Sequence, residues 1–347
     1  MKNIKAIILA FLAAVFYAVN VPISKILLKN IEPTMMAALL YLGAGIGIGI
    51  AALVGRKASG QSERLSQKDL PFVIGMIVLD IAAPIFLMLG IKYGSSANAS
   101  LLGNFEIVAT TVVALFIFHE AVSKRLWAAI GFISLSSVIL SFEGIESLNF
   151  SYGSLFVLTA AVCWGFENNC TRNIASKSTY EIVILKGIFS GLGSFSIAML
   201  KRERIPGVNY IAAALLLGFI AYGLSIFLYI RAQNIIGAAK TSAYYAAAPF
   251  VGVFFSFVFL RESLSGTYLA ALAIMLIGTA FVVADTLIRN HVHQHHHSFS
   301  HTHDGVTHTH TVSHVHEHNH YMSESRHGHR HTREELERAL GEAHIAN

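Results

Sequence analysis

Charged residues are scarce in this sequence of 347 residues. Asp, Glu, Lys and Arg make up 13% of the chain, and hydrophobic residues make up 54%. A soluble globular domain is typically about a quarter charged. The mean hydropathy of +0.58 and the 27 glycines point the same way. This composition excludes an ordinary soluble domain and is typical of an integral membrane protein.

Histidine and cysteine are almost missing from the first 290 residues. Seventeen of the eighteen histidines lie at or beyond His291, which leaves His119. Cys163 and Cys170 would be about 10 Å apart along a helix, too far for a disulfide with each other. A nucleophilic Ser or Cys needs a base beside it, and the chain has no Walker-type loop, GxSxG or HExxH motif. We therefore expect no enzymatic activity and no required cofactor.

The chain also lacks a basic patch with interleaved aromatic residues. Residues 1–290 hold 21 basic and 13 acidic groups, and most of the basic excess falls in short loops between apolar runs. This distribution suits anionic lipid headgroups and excludes nucleic acid as a partner. The N-terminal MKNIKAIILAFLAAVF resembles a signal peptide, but no cleavage site leads to a polar domain. We interpret it as an uncleaved first span.

Long apolar runs are what the sequence does contain. A helix needs about 20 apolar residues to cross a bilayer. Ten such runs occur, at about 5–28, 34–54, 71–91, 96–118, 125–142, 152–172, 180–200, 209–230, 238–260 and 265–288. Lys and Arg near the helix ends number twelve on one side and six on the other, despite a basic loop at 201–204. This asymmetry predicts that both termini are cytoplasmic, in the plasma membrane.

The sequence repeats itself internally. Three pairs of segments match: 15–25 with 162–172 at an offset of 147, and 93–100 with 235–242 and 119–123 with 261–265 at an offset of 142. Each unit has five spans, so the second unit enters the membrane in the opposite orientation. An inverted repeat with an odd number of spans is typical of secondary transporters, whose substrate site lies between the halves.

The ten spans, the W-G-like motif near the ends of spans 1 and 6, and the A-x-x-S and E-x-x-S pattern around spans 4 and 9 resemble the EamA-type drug/metabolite transporter superfamily. The resemblance covers about residues 1–288. It implies an all-α integral membrane protein in which ten transmembrane helices form two inverted five-helix repeats around a central cavity, and often export of small organic solutes. The sequence departs from this pattern at Tyr17-Ala18, where the second half has Trp164-Gly165, and at Ile107, where the second half has Pro249.

Five charged residues lie well inside the expected spans, with Asp80 and Glu106 near mid-span and Glu167, Lys186 and Lys240 about five residues inside the cytoplasmic ends. A charge at the bilayer centre costs about 2.5–3.5 kcal/mol, so these groups need a wet cavity or a partner. They could neutralise one another in a structural network, and the two lysines could also extend to the interface. A buried carboxylate can bind and release a proton, so we expect Glu106 to couple transport to an ion, with Asp80 as the alternative.

Polar residues at helical spacing predict which faces turn inward. Trp164, Glu167, Asn168 and Thr171 share one face, and the repeat places Tyr17 and Asn20 on the matching face of span 1. We expect a substrate cavity for a small organic solute with its own amine or carboxylate. The residues expected to line it are Tyr17, Asn20, Asn98, Trp164, Glu167, Asn168, Lys186, Lys240 and Tyr244. Aromatic residues on such faces could equally serve packing.

Glycine and proline indicate how the helices pack. Gly43/Gly47 and Gly45/Gly49 in span 2, and Gly187/Gly191 in span 7, form small-xxx-small faces that allow close approach. Such faces could also slide during transport or support a dimer, so the oligomeric state stays open. Pro22, Pro84 and Pro249 remove backbone hydrogen bonds inside spans and predict kinks beside the substrate.

Histidine is concentrated in the C-terminal tail. Thirteen lie within 291–320: His291, His293, His295, His296, His297, His301, His303, His308, His310, His314, His316, His318 and His320. Neutral imidazole binds Zn, Ni, Co and Cu. The high polarity predicts that 291–331 is disordered without metal. A Thr332–Glu335 capping box predicts a short amphipathic helix over 332–347.

The sequence leaves three functions open. The first is a transporter that exports small solutes and has a metal-binding tail that buffers or senses metal; the tail could instead be a proton-sensitive or drifting segment. The second is a Zn, Ni or Co transporter fed by the tail, and the third is a membrane-anchored metal-binding scaffold without transport. The domain boundaries expected are 1–143 and 151–288 for the two repeats, followed by the tail.

Overall fold

The computed structural model describes residues 2–54, 65–118, 122–142, 151–174, 177–236, 241, 244–262, 265–303 and 306–321. These residues fall into two compact units, 1–283 and 284–347. The first unit contains the apolar runs and the second contains the histidine-rich segment. Lys240, His119 and the helix expected at 332–347 lie outside the described residues.

Helices form the first unit because its apolar runs are long and contain few helix breakers. A 3-10 turn at Gln67–Asp69 precedes α4, and a π-helical segment, Phe219–Leu224, separates α10 from α11. In chain order the helices are α1 Lys2–Ala18, α2 Asn20–Leu27, α3 Pro33–Val54, α4 Leu70–Tyr93, α5 Ser96–Leu102, α6 Phe105–Phe118, α7 Lys124–Leu140, α8 Tyr152–Asn173, α9 Thr179–Leu200, α10 Val208–Gly218, α11 Ser225–Ile236, α12 Ala248–Leu260 and α13 Gly266–Leu287.

Serine N-caps begin five of these helices, including α13, where Ser265 accepts from the backbone N–H of Tyr268. The hydroxyl oxygens of Ser95, Ser123, Ser151 and Ser178 each accept a hydrogen bond from the backbone N–H three residues later. Such a cap satisfies one of the N–H groups that the first helical turn leaves unpaired. The starts of α5, α7, α8 and α9 are therefore encoded locally.

Proline has a different position in each of the three spans where we expected a kink. Pro22 has no N–H to donate to the carbonyl of Ala18, and α1 ends at that residue. Pro249 lies in the first turn of α12, where its missing N–H costs nothing. Pro84 lies inside α4, which continues through it, so the carbonyl of Asp80 has no helical partner.

Seven segments of the described chain are long and apolar enough to cross a membrane. They are Ile4–Leu27, Pro33–Leu53, Gln67–Tyr93, Ser96–Ile117, Tyr180–Leu200, Val208–Tyr229 and Gly266–Asp285. The other three expected spans are helices as well. α7 and α12 are shorter, with 17 and 13 residues, and α8 has 22 residues with a polar second half. A multi-pass helical membrane unit is therefore confirmed.

The helices pack in pairs that join the two halves of the sequence. α3 packs on α9, α4 on α8, and α1 on α11. Gly45 and Gly187 meet where α3 crosses α9, and a Cβ added to Gly45 would lie 2.7 Å from the backbone nitrogen of Ile188. The close approach expected from the glycine faces is present at this crossing. Gly49 is the exception, since a Cβ there would meet no described atom within 4 Å.

The outer surface of this unit is apolar. Phe116, Leu200 and Val208 are among its most exposed large side chains, while many serine and threonine side chains are buried. Exposed apolar surface on this scale would be unstable in water and is suited to lipid. The burial pattern therefore supports membrane insertion independently of helix length.

The second unit contains two antiparallel strands, β1 Ile288–His303 and β2 Val306–Tyr321. We expected 291–331 to be disordered, and the structure differs over the residues that it describes. The H-x-H alternation has the period of two that a strand requires, and the interspersed Val, Thr and Phe favour strands. Residues 304–305 and 322–331 lie outside the described residues.

Candidate functional site

Two buried acids and a partly exposed lysine, from both halves of the chain, meet inside the helical unit. Asp80 lies on α4, Glu167 on α8 and Lys186 on α9, and α4 packs against both of the other helices. The ammonium of Lys186 is 2.9 Å from Oε1 of Glu167 and 3.1 Å from Oδ2 of Asp80. The two acids are 1% and 0% exposed. With Glu106, described below, these residues form what we call the ionic cluster.

Asp80 is only partly satisfied by its neighbours. The hydroxyl of Tyr41 donates a hydrogen bond of 2.9 Å to its Oδ1. Its Oδ2 makes the ion pair with Lys186 but accepts no hydrogen bond from the described residues. Unsatisfied buried acceptors are rare in folded proteins because they lose their hydration without replacement. The ammonium of Lys186 compensates the charge of this oxygen, which keeps the capacity to accept a further hydrogen bond.

Glu106 joins the cluster through an amide. The side-chain nitrogen of Asn168 donates to Oε1 of Glu106 at 2.6 Å and lies 3.2 Å from the hydroxyl of Thr110. Asn168 directly follows Glu167 on α8, so the residue that binds Glu106 is the sequence neighbour of Glu167. Gly165 allows this contact between α6 and α8, because a Cβ there would lie 2.6 Å from that of Ala109.

A row of aromatic rings extends from Asp80, and we call these five residues the tyrosine row. Successive ring centroids are 5.4, 6.0, 5.8 and 5.1 Å apart in the order Tyr41, Tyr222, Tyr17, Tyr245 and Tyr229. These distances are typical of interacting aromatic pairs. The buried Trp164 lies beside the Tyr41 hydroxyl, at the end of the row that meets Asp80.

Asn20 connects the row to the first half of the chain. Its side-chain nitrogen donates to the hydroxyl of Tyr222 at 2.9 Å, and its oxygen accepts from Ser24 at 3.1 Å. Tyr222 lies in the π-helical segment, which places it between α3 and α1. Segments of this kind are frequent at functional sites.

The structure brings together most of the residues that the sequence analysis selected. Asp80, Glu106, Glu167, Asn168 and Lys186 form or contact the ionic cluster, while Tyr17, Asn20 and Trp164 belong to or border the tyrosine row. Asn98 lies elsewhere, and its side chain bonds the carbonyl of Leu140 and the hydroxyl of Ser154. Tyr244 is exposed, whereas its neighbour Tyr245 belongs to the row.

Tyr41, Tyr222 and Tyr245 were missed by the sequence analysis. Tyr41 lies in a nearly uniform apolar run, and Tyr222 lies in a segment whose π-helical turn shifts the usual helical period. The internal repeat offered one indication that Tyr222 belongs to the site. At the offset of 142 residues, Tyr222 corresponds to Asp80.

The glutamate of the RESLS segment has a separate, structural position. Glu262 accepts hydrogen bonds of 2.8 Å from the backbone N–H groups of Ser96 and Ala97, at the start of α5. A carboxylate at a helix N-terminus complements both the unpaired N–H groups and the helix dipole. The family-like E-x-x-S pattern is thus explained by helix capping in the second half, while Glu120 lies outside the described residues.

The acids of the ionic cluster do not form a metal site. Among the residues whose side chains the structure describes, no group of three or more His, Cys, Asp and Glu is arranged to hold an ion. Asp80 and Glu167 share a lysine, and Glu106 is bonded to an amide. The cluster therefore has the chemistry of an ion-pair and hydrogen-bond site.

The model of the EamA-like transporter family matches the chain twice, at residues 4–142 and 151–284. An uncharacterized transporter of Methanothermobacter thermautotrophicus is 25% identical over 287 residues, which cover 76% of this chain and 82% of that protein. The uncharacterized transporter YyaM of Bacillus subtilis is 24% identical over 267 residues, covering 74% and 87%.

A crystal structure of another protein shares the fold, with a TM-score of 0.60 at 18% identity over 81% of this chain and 96% of that one. The double family match agrees with the internal repeat and with the helical membrane unit. The resemblance to the EamA-type superfamily is confirmed. The chain belongs to the EamA-like transporter family and is a multi-pass membrane transporter of small solutes.

Proposed function

We propose that this protein is a secondary transporter that exports small organic solutes across the plasma membrane by alternating access. The observation that carries the proposal is the buried ionic cluster, in which Asp80 of the first repeat shares Lys186 with Glu167 of the second. A site shared by both halves changes whenever the halves move relative to each other. That coupling between site and motion is what alternating access requires.

The helix packing supports an inverted repeat of five spans in each half. Exchanging the halves turns the α4–α8 contact into the α11–α1 contact, and turns the α6–α8 contact into the α12–α1 contact. Both members of each pair are present. The same exchange leaves the α3–α9 contact unchanged, which supports a pseudo-twofold axis between the halves that passes near Gly45 and Gly187. Both termini in the cytoplasm follow from the basic residues near the helix ends.

Glu106 is the residue that we propose for ion coupling, with Asp80 as the alternative. Glu106 is held by the amide of Asn168 and has no described ion pair, so it can gain or lose a proton without breaking a salt bridge. Asp80 would first have to release Lys186. Accepting a proton at Glu106 would therefore disturb the cluster less.

Export can be tested by mass spectrometry of cells that express the full chain. Solutes that rise in the medium and fall in the cytoplasm, relative to cells with empty vector, are the candidates for transport. We expect Glu106→Gln to abolish this difference while Glu32→Gln, the same change at an exposed ion pair with Lys92, preserves it. Equal solute levels in the media of all four cell lines would contradict transport. Depletion of the medium would show import in place of export.

We further propose that the C-terminal hairpin binds transition-metal ions. The strand register pairs four sets of histidines: His291 with His318, His293 with His316, His295 with His314, and His301 with His308. Successive strand residues alternate between faces, so twelve of the thirteen histidines occupy positions on one face and His296 occupies the other. Paired positions on adjacent strands are about 5 Å apart, and neutral imidazole is a ligand for Zn, Ni, Co and Cu.

Metal transport is the second candidate function, favoured only by this concentration of histidines. Elemental mass spectrometry of metal-loaded cells distinguishes the two, with the full chain, a chain stopped after Asn290, and Glu106→Gln. We expect only the truncation to change cellular Zn, Ni, Co or Cu. If Glu106→Gln changes metal content as much as loss of the protein, the helical unit moves metal. If neither change matters, the histidines have no role in metal content.

A further inference from the structure

Among the described residues, the ionic cluster has an excess of negative charge. It contains three carboxylates, Asp80, Glu106 and Glu167, and one ammonium, that of Lys186. Lys186 is already held by two of the acids, and Glu106 is paired with an amide. A solute carrying a carboxylate or phosphate would meet this excess of like charge with the ammonium already occupied. A solute with a positive charge would meet the opposite situation.

Oδ2 of Asp80 is the position in the cluster where a second positive charge could bind. Oδ2 is fully buried, lies 3.1 Å from the ammonium of Lys186 and accepts no hydrogen bond from the described residues. The other oxygen of the same carboxylate accepts from Tyr41. Two acids therefore share one cation, and a second donor with a positive charge would complete both the hydrogen bonds and the charge balance.

The tyrosine row adjoins this position and offers aromatic surface to the rest of a solute bound there. Tyr41 donates to Oδ1 of Asp80, so the row begins at the carboxylate whose Oδ2 accepts no hydrogen bond from the described residues. Tyr222, Tyr17 and Tyr245 continue it with centroid distances of 5.4 to 6.0 Å. Aromatic faces attract cations and pack against apolar bodies, and groups of aromatic rings bind quaternary ammonium ligands in other proteins.

We propose that the transported solute is an organic cation: a small molecule with a protonated or quaternary amine on an apolar or aromatic body. Its amine is bound by Asp80 and the adjoining acids of the ionic cluster. Its body lies along the tyrosine row. This inference rests on the proposed function, because it names the substrate class of the same transport site.

The test is a ligand series that shares one phenyl-alkyl body and differs in charge: 2-phenylethylamine, phenylalanine, 2-phenylethanol and 3-phenylpropionate. Binding to the purified full chain in lipid nanodiscs is measured by calorimetry and by thermal unfolding. We expect 2-phenylethylamine to bind at least about tenfold more tightly than the alcohol or the acid. Equal or tighter binding of the alcohol or the acid, or no binding of any member at millimolar concentration, would overturn the proposal.

Variants then place the amine at the cluster. Asp80→Asn should weaken 2-phenylethylamine binding by at least about tenfold, while Glu32→Gln should leave it unchanged. Tyr222→Leu, which removes a ring but no charge, should weaken the amine and the alcohol alike. Unchanged amine binding in a folded Asp80→Asn protein would exclude Asp80 as its partner. If that variant does not fold, the charge series on the unaltered chain still decides the proposal.

Transport of the labelled amine into proteoliposomes separates this inference from the proposed function. Binding through Asp80 without transport would support the cation site and contradict the transport role assigned to it. Transport of solutes identified by the efflux experiment that are all anionic or uncharged would support transport and overturn the cation class.

Discussion

Two helix contacts that the repeat makes equivalent, α1–α11 and α4–α8, are similar in packing but differ in the polar groups they bury. Asn20 and Glu167 correspond at the offset of 147 residues, and each accepts a hydrogen bond from a hydroxyl one turn later, that of Ser24 or Thr171. Across the helix contact, Asn20 meets Tyr222, whereas Glu167 and Asp80 share Lys186. The neutral pair at the α1–α11 contact thus corresponds to a charged pair at the α4–α8 contact, and each pair joins the two halves.

The packing is similar at the two equivalent helix contacts, α1–α11 and α4–α8, while the charge is found at only one of them. Ser24 and Thr171 make the same local contact on the two sides. Only the charged contact, α4–α8, requires compensation for buried charge. The consequences of mutation should therefore be unequal at equivalent positions.

Removing Lys186 should have the largest effect. Lys186→Met leaves Asp80 and Glu167 buried without their cation, and breaking a buried ion pair in this way costs about 3–5 kcal/mol. We expect a large loss in thermal stability of the purified protein in lipid, partly restored by adding Glu167→Gln. Lys92→Met, at an exposed ion pair, is the control and should change stability little. A Lys186→Met protein as stable as that control would contradict the charged pairing.

Filling the contact between the halves should have the next largest effect. Gly45→Ala places a Cβ 2.7 Å from the backbone nitrogen of Ile188, so α3 and α9 must separate. Overpacking costs about 1–3 kcal/mol, and contact with rigid backbone favours the upper end. Gly49→Ala, on the same helix with no described neighbour within 4 Å, should not destabilise the protein. Equal denaturation midpoints for the two variants would show that this crossing tolerates separation.

The neutral pair should be the least sensitive of the three. Asn20→Ala removes the donor to Tyr222 and the acceptor for Ser24, and we expect a loss of about 1–2 kcal/mol in unfolding free energy. Solute efflux should be reduced but not abolished, because the ionic cluster is intact. A loss of stability as large as that of Lys186→Met would remove the proposed asymmetry between the two contacts.

Several features of the site could be predicted because they depend on a single helix. The face shared by Trp164, Glu167, Asn168 and Thr171 follows from helical spacing, and the structure describes these residues on one continuous helix. The need of Asp80 and Lys186 for partners followed from the cost of burying a charge. The pairing of Asp80 with Lys186 could not be predicted, because it depends on how α4 and α9 cross.

Asn98 and Tyr244 illustrate the limit of the same reasoning. Both have polar groups in an apolar run, yet Asn98 bonds α7 and α8 near their ends and Tyr244 is exposed. A polar side chain in a membrane helix must find some partner, and the sequence does not say which. Tyr245, one residue further, contacts Tyr17 and Tyr229 because of the rotation of its segment.

The sequence by itself determined the membrane class, the helical runs, the repeat and the family, because each depends on composition or on short-range periodicity along the chain. Tertiary structure alone decided that Lys186 bridges two acids, that one oxygen of Asp80 accepts no hydrogen bond from the described residues, and that five tyrosines form a row. These features depend on the distance between side chains 16 or more positions apart in sequence, which is set by helix crossings at glycine and by the π-helical turn at Tyr222.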